Sequence, residues 1–332
     1  MAGYKKTKTS IIDKLLPRKG DSGVELARKI VTIVCFIVLI ASLVILASYF
    51  VQQAKNKSSI DEMREQHTAA SVITPATTET TTVPSETEPV ETEPPPLVML
   101  ENMKGFVEQN PDTAGWITIP NTNVDNVIVQ TDNNDYYLDK DFDGNHNIAG
   151  QIYIDFRCIA NDYNNKQSDN LIIYGHNQAD GTMFGTLKKY KIKKESTKNF
   201  DFYLENPTFT FSNLYEEYTY KIIGMFVIEV EPYQTRDGVI WDYHNYVNFT
   251  KKKSFDTFKE NLLARTAVNT GVDFNEDDKY ITLSTCSNEF EPSRFVVIGR
   301  RVRDGESAEV NVSLAEINSD MLEPDYNFIY NQ

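Results

Sequence analysis

The sequence predicts a mainly β fold with peripheral helices, in which an eight-stranded β-barrel follows an N-terminal helix, a single transmembrane helix and a disordered linker. After residue 110, short runs rich in Ile, Val, Tyr, Phe and Thr recur, and Asn, Asp, Gly or Pro separates them. Eight short strands of this kind favour a closed or nearly closed barrel. An uncharged run near the N-terminus predicts the membrane helix. The predicted strands cover residues 115–120, 124–130, 150–156, 170–176, 208–213, 218–230, 280–286 and 294–302.

The N-terminal segment predicts a single-pass anchor in the cell membrane. Residues 30–51 run 22 residues without a charge, which is long enough for a helix to cross a bilayer. Residues 1–29 carry eight Lys or Arg against three acids, so the positive-inside rule keeps this tail cytoplasmic and places the rest of the chain outside the cell. A cleaved signal peptide is the weaker interpretation, because the run is too long and has no small-residue cleavage site.

A linker is predicted between the anchor and the folded domain, over residues 52–96. Residues 74–96 hold eight Thr, six Pro and five Glu and no aromatic residue. Such a segment cannot bury enough apolar area to offset the entropy of ordering it, and proline and like charges keep it extended. We therefore expect a spacer in front of a folded domain at residues 97–303.

Three peripheral helices are predicted in that domain. Apolar residues at helical spacing begin the first at Leu97, and Asn110-Pro111 ends it. The second covers residues 181–190. The third covers residues 254–268, with Ser254 as a candidate N-cap.

The C-terminal tail, residues 304–332, is acidic and weakly patterned. Its aromatic residues Tyr326, Phe328 and Tyr330 are candidates for docking on the barrel, at a place that the pattern does not indicate.

Composition narrows the classes of function. The formal net charge of −15 argues against a nucleic acid as the main partner. Three cysteines cannot form a disulfide framework, and no Cys/His cluster indicates zinc, so we expect no metal and no cofactor. The acidic residues 139–145 are interpreted as a solvated loop rather than a weak calcium site. Cys35, within the apolar span, and Cys158 are interpreted as packing residues.

The third cysteine, Cys286, has different surroundings. Side chains alternate along a strand, so Cys286 shares a face with Ser284 and Thr282, while Ile281 and Leu283 point into the core. A buried, inert cysteine would be expected on the apolar face. Cys286 is therefore a candidate nucleophile.

A catalytic thiol needs a partner that favours the thiolate or moves its proton, which is usually histidine. Of four histidines, His67 is expected in the linker, too far from any fold. His146 lies in a polar turn, and His244 is interpreted as a packing or capping residue. His176 follows the apolar run of residues 170–174 and precedes a loop, so it is the best placed for an active-site mouth.

An arginine completes the candidate set. Seven residues separate Cys286 from Arg294, enough for a wide hairpin loop. If the flanking strands are antiparallel neighbours, Arg294 returns to the thiol. Its cation would then lower the thiol pKa or donate hydrogen bonds to an oxyanion. The competing interpretation is an ordinary surface arginine.

The ordered motifs resemble those of the sortases. TLSTC at residues 282–286, with an arginine soon after in RFVVIGR, is similar to the TLxTC signature of that family, and YGHN matches its histidine segment. The likeness covers about residues 97–302 and points to class B in particular. The stretches that carry it are residues 110–144, 150–157, 170–187 and the helix before the cysteine strand.

The resemblance implies a membrane-anchored cysteine transpeptidase of a Gram-positive cell surface, with Cys286 as nucleophile, His176 as general acid/base and Arg294 as transition-state stabiliser. It implies that Ser284, Thr285 and Tyr174 lie near the substrate groove. The implied partners are sorting-signal peptides and an amine from a peptidoglycan cross-bridge or a pilin lysine.

Several alternatives stay open at this stage. A cysteine hydrolase of extracellular peptides and a non-catalytic, membrane-tethered β-barrel that binds a ligand are the main ones. An L,D-transpeptidase is weaker, since no histidine or glycine closely precedes Cys286. The sorting signal, and the choice among wall anchoring, haem uptake and pilus assembly, are not determined by these residues.

Overall fold

A computed structural model describes residues 15–72, 97–161, 166–193 and 199–331. The spacer predicted at residues 74–96 lies outside the described residues. The chain divides into two units, Met1–Ser59 and Ile60–Gln332.

Helix α1 (Gly23–Val72) provides most of what is described of the first unit. It extends beyond the predicted span of residues 30–51 at both ends. Within the described ranges, α1 is the one helix that is long and apolar enough to cross a membrane. The polar residues after the span thus continue the helix much further than expected.

The second unit contains the predicted eight-stranded barrel, which closes in the order β1-β2-β3-β4-β8-β9-β6-β5. Two neighbouring pairs are parallel, β2 with β3 and β4 with β8. The two short strands β7 and β10 form a separate pair. The strands are β1 (Thr113–Thr118), β2 (Asp125–Val129), β3 (Tyr153–Ile154), β4 (Asn170–Tyr174), β5 (Thr208–Ser212), β6 (Glu217–Glu229), β7 (Val268–Asn269), β8 (Tyr280–Cys286), β9 (Ser293–Arg301) and β10 (Glu316–Ile317).

The peripheral helices only partly match the predictions. Residues 181–190 were predicted as a helix, but only a 3-10 turn at Leu187–Tyr190 forms, because Gly181 and Met183 have positive φ. Ser254 is not the N-cap of its helix, which begins earlier, at Lys252. The helices of the second unit are α2 (Glu101–Gln109), α3 (Phe200–Glu205), α4 (Lys252–Arg265) and α5 (Tyr326–Ile329).

Both faces of β8 are buried. Ile281 and Leu283 lie in the barrel core, as predicted. The opposite face is also covered, because α4 packs Phe255 and Phe258 against Tyr280. The polar face predicted for this strand is therefore exposed only at its last residue, Cys286.

His67 belongs to the second unit, so its predicted position far from any fold is wrong. Its ring stacks on Trp116 of β1, with centroids 4.0 Å apart and planes 4° apart. The same helical segment buries Ile60 in the core. Arg64 donates hydrogen bonds to the carbonyl oxygens of Asp125 and Asn123. The last turns of α1 are thus part of the folded domain.

Candidate active site

The end of the β8–β9 hairpin carries an exposed thiol beside a guanidinium. Cys286 and Arg294 are partners in the antiparallel register. Nη1 of Arg294 donates to Sγ of Cys286 at 3.6 Å and to the carbonyl oxygen of Ser293 at 3.1 Å. The predicted return of Arg294 to the thiol is confirmed.

The parallel neighbour β4 brings His176 to the same end of the barrel. The last paired residues of the two strands are Tyr174 and Ser284, so His176 and Cys286 each lie two residues further along. The amide of Asn177 donates to the carbonyl oxygen of Cys286 at 2.9 Å. Neighbouring strands lie about 4.8 Å apart, so the chain positions of His176 and Cys286 are at the same end of the barrel.

A backbone carbonyl determines how His176 can act. Nε2 lies 2.8 Å from the carbonyl oxygen of Leu138. A carbonyl oxygen only accepts, so Nε2 carries a proton, and Nδ1 is the nitrogen left to exchange a proton with a substrate. Gly150 lies against the ring, since a Cβ there would be 2.9 Å from Cδ2 of His176.

The three predicted substrate-binding residues lie around the base of this site. Ser284 is buried, and its hydroxyl lies 2.7 Å from that of Tyr243. Thr285 is also buried, and its hydroxyl has no hydrogen-bond partner in the part of the chain that the structure describes. Tyr174 is half-buried and donates to Asp155 at 3.0 Å. Ser284 and Thr285 are almost fully buried, and the contact of all three residues with substrate stays a prediction.

A buried carboxylate supports the tyrosines next to the site. Asp155 is fully buried, and Arg157 donates to both of its oxygens at 2.8 Å. Burial alone would raise the pKa of Asp155, but the hydrogen bonds from Arg157 hold it below its usual range. Burial raises the pKa of Tyr174 and, despite the nearby Arg294, raises that of Tyr153 to about 12. Both tyrosines therefore stay neutral, and Tyr174 donates to an ionised acceptor.

The loop between β8 and β9, residues 287–292, is called the cysteine loop below. Lys191 donates to the carbonyl oxygen of Ser287 at 2.7 Å, to its hydroxyl at 3.1 Å and to Glu289 at 3.3 Å. The amide of Gln234 donates to the carbonyl oxygen of Pro292 at 2.6 Å. Two distant segments therefore hold the loop that joins the thiol to the guanidinium.

Several site residues were not singled out from the sequence. Asn177 was visible only as the last letter of the YGHN match. Leu138 contributes a carbonyl oxygen, which leaves no side-chain signal. Gly150 reads as an ordinary turn residue, and Lys191 as one lysine of a basic stretch. The remaining histidines lie elsewhere: the exposed ring of His146 is 3.1 Å from Asp139, and the carbonyl oxygen of His244 accepts from Arg157.

Comparisons with known proteins show a family and a fold. The family model of the sortase domain matches residues 117–302. Sortase B of Listeria monocytogenes is 31% identical over 204 residues, which cover 61% of this chain and 74% of the relative. The Staphylococcus aureus sortase B–substrate complex has a similar fold, with a TM-score of 0.58 at 21% identity, covering 76% of this chain and 99% of that one. A sortase B complexed with Gly3 gives a TM-score of 0.57 at 21% identity, with the same coverage.

Proposed function

We propose that Cys286, His176 and Arg294 carry the cysteine transpeptidase reaction of this chain, which belongs to the sortase family and within it to class B. The observation that carries the proposal is the exposed Cys286 thiol, with Nη1 of Arg294 at 3.6 Å and the histidine-bearing end of β4 alongside. An exposed thiol beside a fixed cation and an imidazole has what nucleophilic catalysis requires.

In the first half-reaction, the Cys286 thiolate attacks a backbone carbonyl carbon of the substrate. The new C–S bond moves an electron pair onto the carbonyl oxygen, and Arg294 donates hydrogen bonds to this developing oxyanion. When the oxyanion collapses, the C–N bond breaks and His176 protonates the leaving amine. Nδ1 is the nitrogen positioned for this proton, because Nε2 is bonded to Leu138. The product is a thioacyl enzyme.

In the second half-reaction, an amine attacks the thioester carbon. The amine gives up a proton to His176, the new amide bond forms, and the C–S bond breaks to return the thiolate. Each proton that His176 gives in the first step is recovered in the second, so the enzyme ends in its starting state.

The proposed substrates follow from the family and its relatives. The complexes of sortase B with a substrate and with Gly3 support a peptide sorting signal as acyl donor and an amine as acceptor. We assign the acceptor amine to a peptidoglycan cross-bridge or a pilin lysine. Helix α1 would anchor the chain in the cell membrane, with the basic N-terminal tail in the cytoplasm and the catalytic domain outside.

The test uses the full chain in detergent, a library of sorting-signal peptides and mass spectrometry of the protein. A thioacyl adduct is expected on Cys286, and none in the Cys286→Ala variant. Cys158→Ala is the matched control, because burial raises the pKa of that thiol to about 12. A Cys286→Ala enzyme that cleaves the peptide normally would overturn the proposal.

Two further measurements assign the other roles. His176→Ala and Arg294→Ala are expected to lower turnover by about 10²–10³-fold or more while the melting temperature stays near that of the wild type. Adding triglycine should give a ligated peptide. Release of the acyl group to water alone would instead support the hydrolase alternative.

A further inference from the structure

The C-terminal tail, residues 304–331 of the described chain, forms a strap outside the family domain, whose match ends at residue 302. The strap begins at an ion-pair cluster, where Glu306 binds the fully buried Arg300 and also Lys221. Hydrogen bonds donated by Arg300 hold the pKa of Glu306 well below its usual range. The strap is therefore fastened at the end of β9 that lies far from Cys286.

From there the strap runs back toward the active-site end of the barrel. β10 pairs with β7, and Asn318 donates to the carbonyl oxygens of Ala267 and Thr266. Met321 is buried against the barrel. Backbone pairing and apolar contact thus fix the path of the strap and bring its C-terminal aromatic residues to the cysteine loop.

The last residues of the strap contact the cysteine loop. The ring of Tyr326 packs edge-on against Phe290, with centroids 5.9 Å apart. The hydroxyl of Tyr330 donates to the carbonyl oxygen of Glu289. Beside them, Arg236 donates to Asp325 at 2.7 Å and lies 5.0 Å from the ring of Phe328. Two aromatic residues of the strap, Tyr326 and Tyr330, therefore contact the six-residue cysteine loop.

The cysteine loop in turn sets the geometry of the reacting groups. It begins directly after Cys286 and ends directly before the Ser293–Arg294 pair, and the backbone N–H of Ser287 donates to the carbonyl oxygen of Ser293 at 3.1 Å. Because Cys286 is exposed, core packing does not fix its side chain. A shift of the loop therefore changes the distance between thiol and guanidinium.

We propose that the strap positions the Cys286–Arg294 pair through the cysteine loop, with Tyr326 and Tyr330 as positioning residues for the transpeptidase reaction. The inference rests on the proposed function, since it takes that pair as the reacting one. Misplacement of about 1 Å in a catalytic group can cost roughly 100-fold in rate, so contacts with the loop need not touch substrate to matter.

The test compares three strap variants of the full chain in detergent. Tyr326→Ala/Tyr330→Ala removes both contacts, Tyr330→Phe removes only the hydroxyl that binds Glu289, and Leu314→Ala is the control at an exposed strap position. For each, kcat, KM and the rate of Cys286 alkylation by iodoacetamide are measured. The double variant is expected to lose about tenfold or more in kcat with KM within about twofold, and to change the alkylation rate. Tyr330→Phe should lose about threefold, and Leu314→Ala should match the wild type.

The outcomes separate the strap from the proposed reaction. If the double variant keeps wild-type kcat and alkylation while Cys286→Ala is inactive, the proposed positioning role of the strap is wrong and the proposed reaction stands. Normal activity in Cys286→Ala would instead contradict the proposed function itself. If the double variant has a lowered melting temperature, the kcat of Tyr330→Phe tests the proposal instead, because that substitution removes a single oxygen atom. A wild-type kcat in Tyr330→Phe would then contradict the role of the Tyr330 hydroxyl. Rescue of kcat by Tyr326→Phe/Tyr330→Ala over the double alanine would locate the effect in the ring that packs on Phe290.

Discussion

The two sides of the candidate active site are held in different ways. On the cysteine side, charged and aromatic side chains from distant segments hold the cysteine loop, among them Lys191 and Tyr326. On the histidine side, backbone groups do this: Leu138 accepts from the imidazole, and Gln151 N–H bonds to the carbonyl oxygen of Tyr137. The cysteine side should therefore respond to charge and remote substitution, and the histidine side to backbone conformation.

Among substitutions away from the three proposed reacting residues, the largest effect is expected from Gly150→Ala, on the histidine side. Gly150 has φ +60°, and a Cβ there would lie 2.7 Å from the carbonyl oxygens of Tyr137 and Leu138 and 2.9 Å from His176. The backbone cannot yield without moving the imidazole. We expect kcat to fall about 100-fold, measured with a cleaved sorting-signal peptide.

Gly238→Ala is the matched control for that variant. It has φ +70° but open space around a new Cβ. It should cost about 1 kcal/mol of stability from the left-handed backbone and leave kcat unchanged. If both variants lose kcat equally, the contact between Gly150 and His176 is not the cause.

A smaller effect is expected from Lys191→Met, on the cysteine side. The ammonium binds both oxygens of Ser287 and the carboxylate of Glu289, and its side chain is only 14% exposed. Losing these charge-assisted bonds should lower kcat about tenfold. Lys193→Met is the control, because Lys193 is 60% exposed and, among the described residues, its ammonium pairs with the carboxylate of Glu289 alone. Equal losses in the two variants would show a general charge effect rather than support of the loop.

Acid should loosen the cysteine loop before the histidine side. Burial would raise the pKa of Glu289, but Lys193 and Lys191 hold it below its usual range. A depressed carboxyl pKa gives stability that is complete above the unfolded-state value, near pH 4.3, and is lost as pH falls through the folded-state value. Hydrogen exchange of the backbone amides of residues 287–291 should therefore accelerate, relative to Gly150 and Gln151, as pH drops below about 4.

The Glu289→Gln variant tests the cause of that acceleration. Without the ionising group, the ratio of the two exchange rates should no longer change with pH over this window. A ratio that changes as in the wild type would assign the effect to another carboxylate.

The sequence predicted those features of the fold that depend on residues close together in the chain. Eight strands, the alternation in β8 and the Cys286–Arg294 hairpin all follow from side-chain periodicity and spacing. The strand predicted at residues 150–156 is shorter in the structure and covers only Tyr153–Ile154. It pairs with β2 at Tyr153 alone and with β4 at both of its residues. Contacts made by a carbonyl oxygen, such as that of Leu138, leave no pattern to find.

Long-range packing was the other part that the sequence did not predict. The strap joins residues far apart in the chain, as when Tyr330 binds Glu289. His67 and Trp116 stack although the 23 residues at 74–96, which lie between them in the chain, have the composition of a spacer. Composition locates the spacer but not the point where the preceding helix meets the domain, and that point depends on which surface of the barrel is left to cover.

The smallest effect on catalysis is expected from His67→Ala, which tests whether the α1 contact is independent of both sides of the site. The ring stacks on Trp116, and the amide of Asn102 lies 2.9 Å from its Nε2. Losing the stack should lower stability by about 1 kcal/mol, measured by thermal unfolding. Because these residues contact neither Leu138 nor the cysteine loop in the described structure, kcat should stay within about twofold. His67→Phe, which keeps an aromatic ring on Trp116, should recover most of the stability. A large loss of kcat in His67→Ala at unchanged stability would instead couple the end of α1 to the reacting groups.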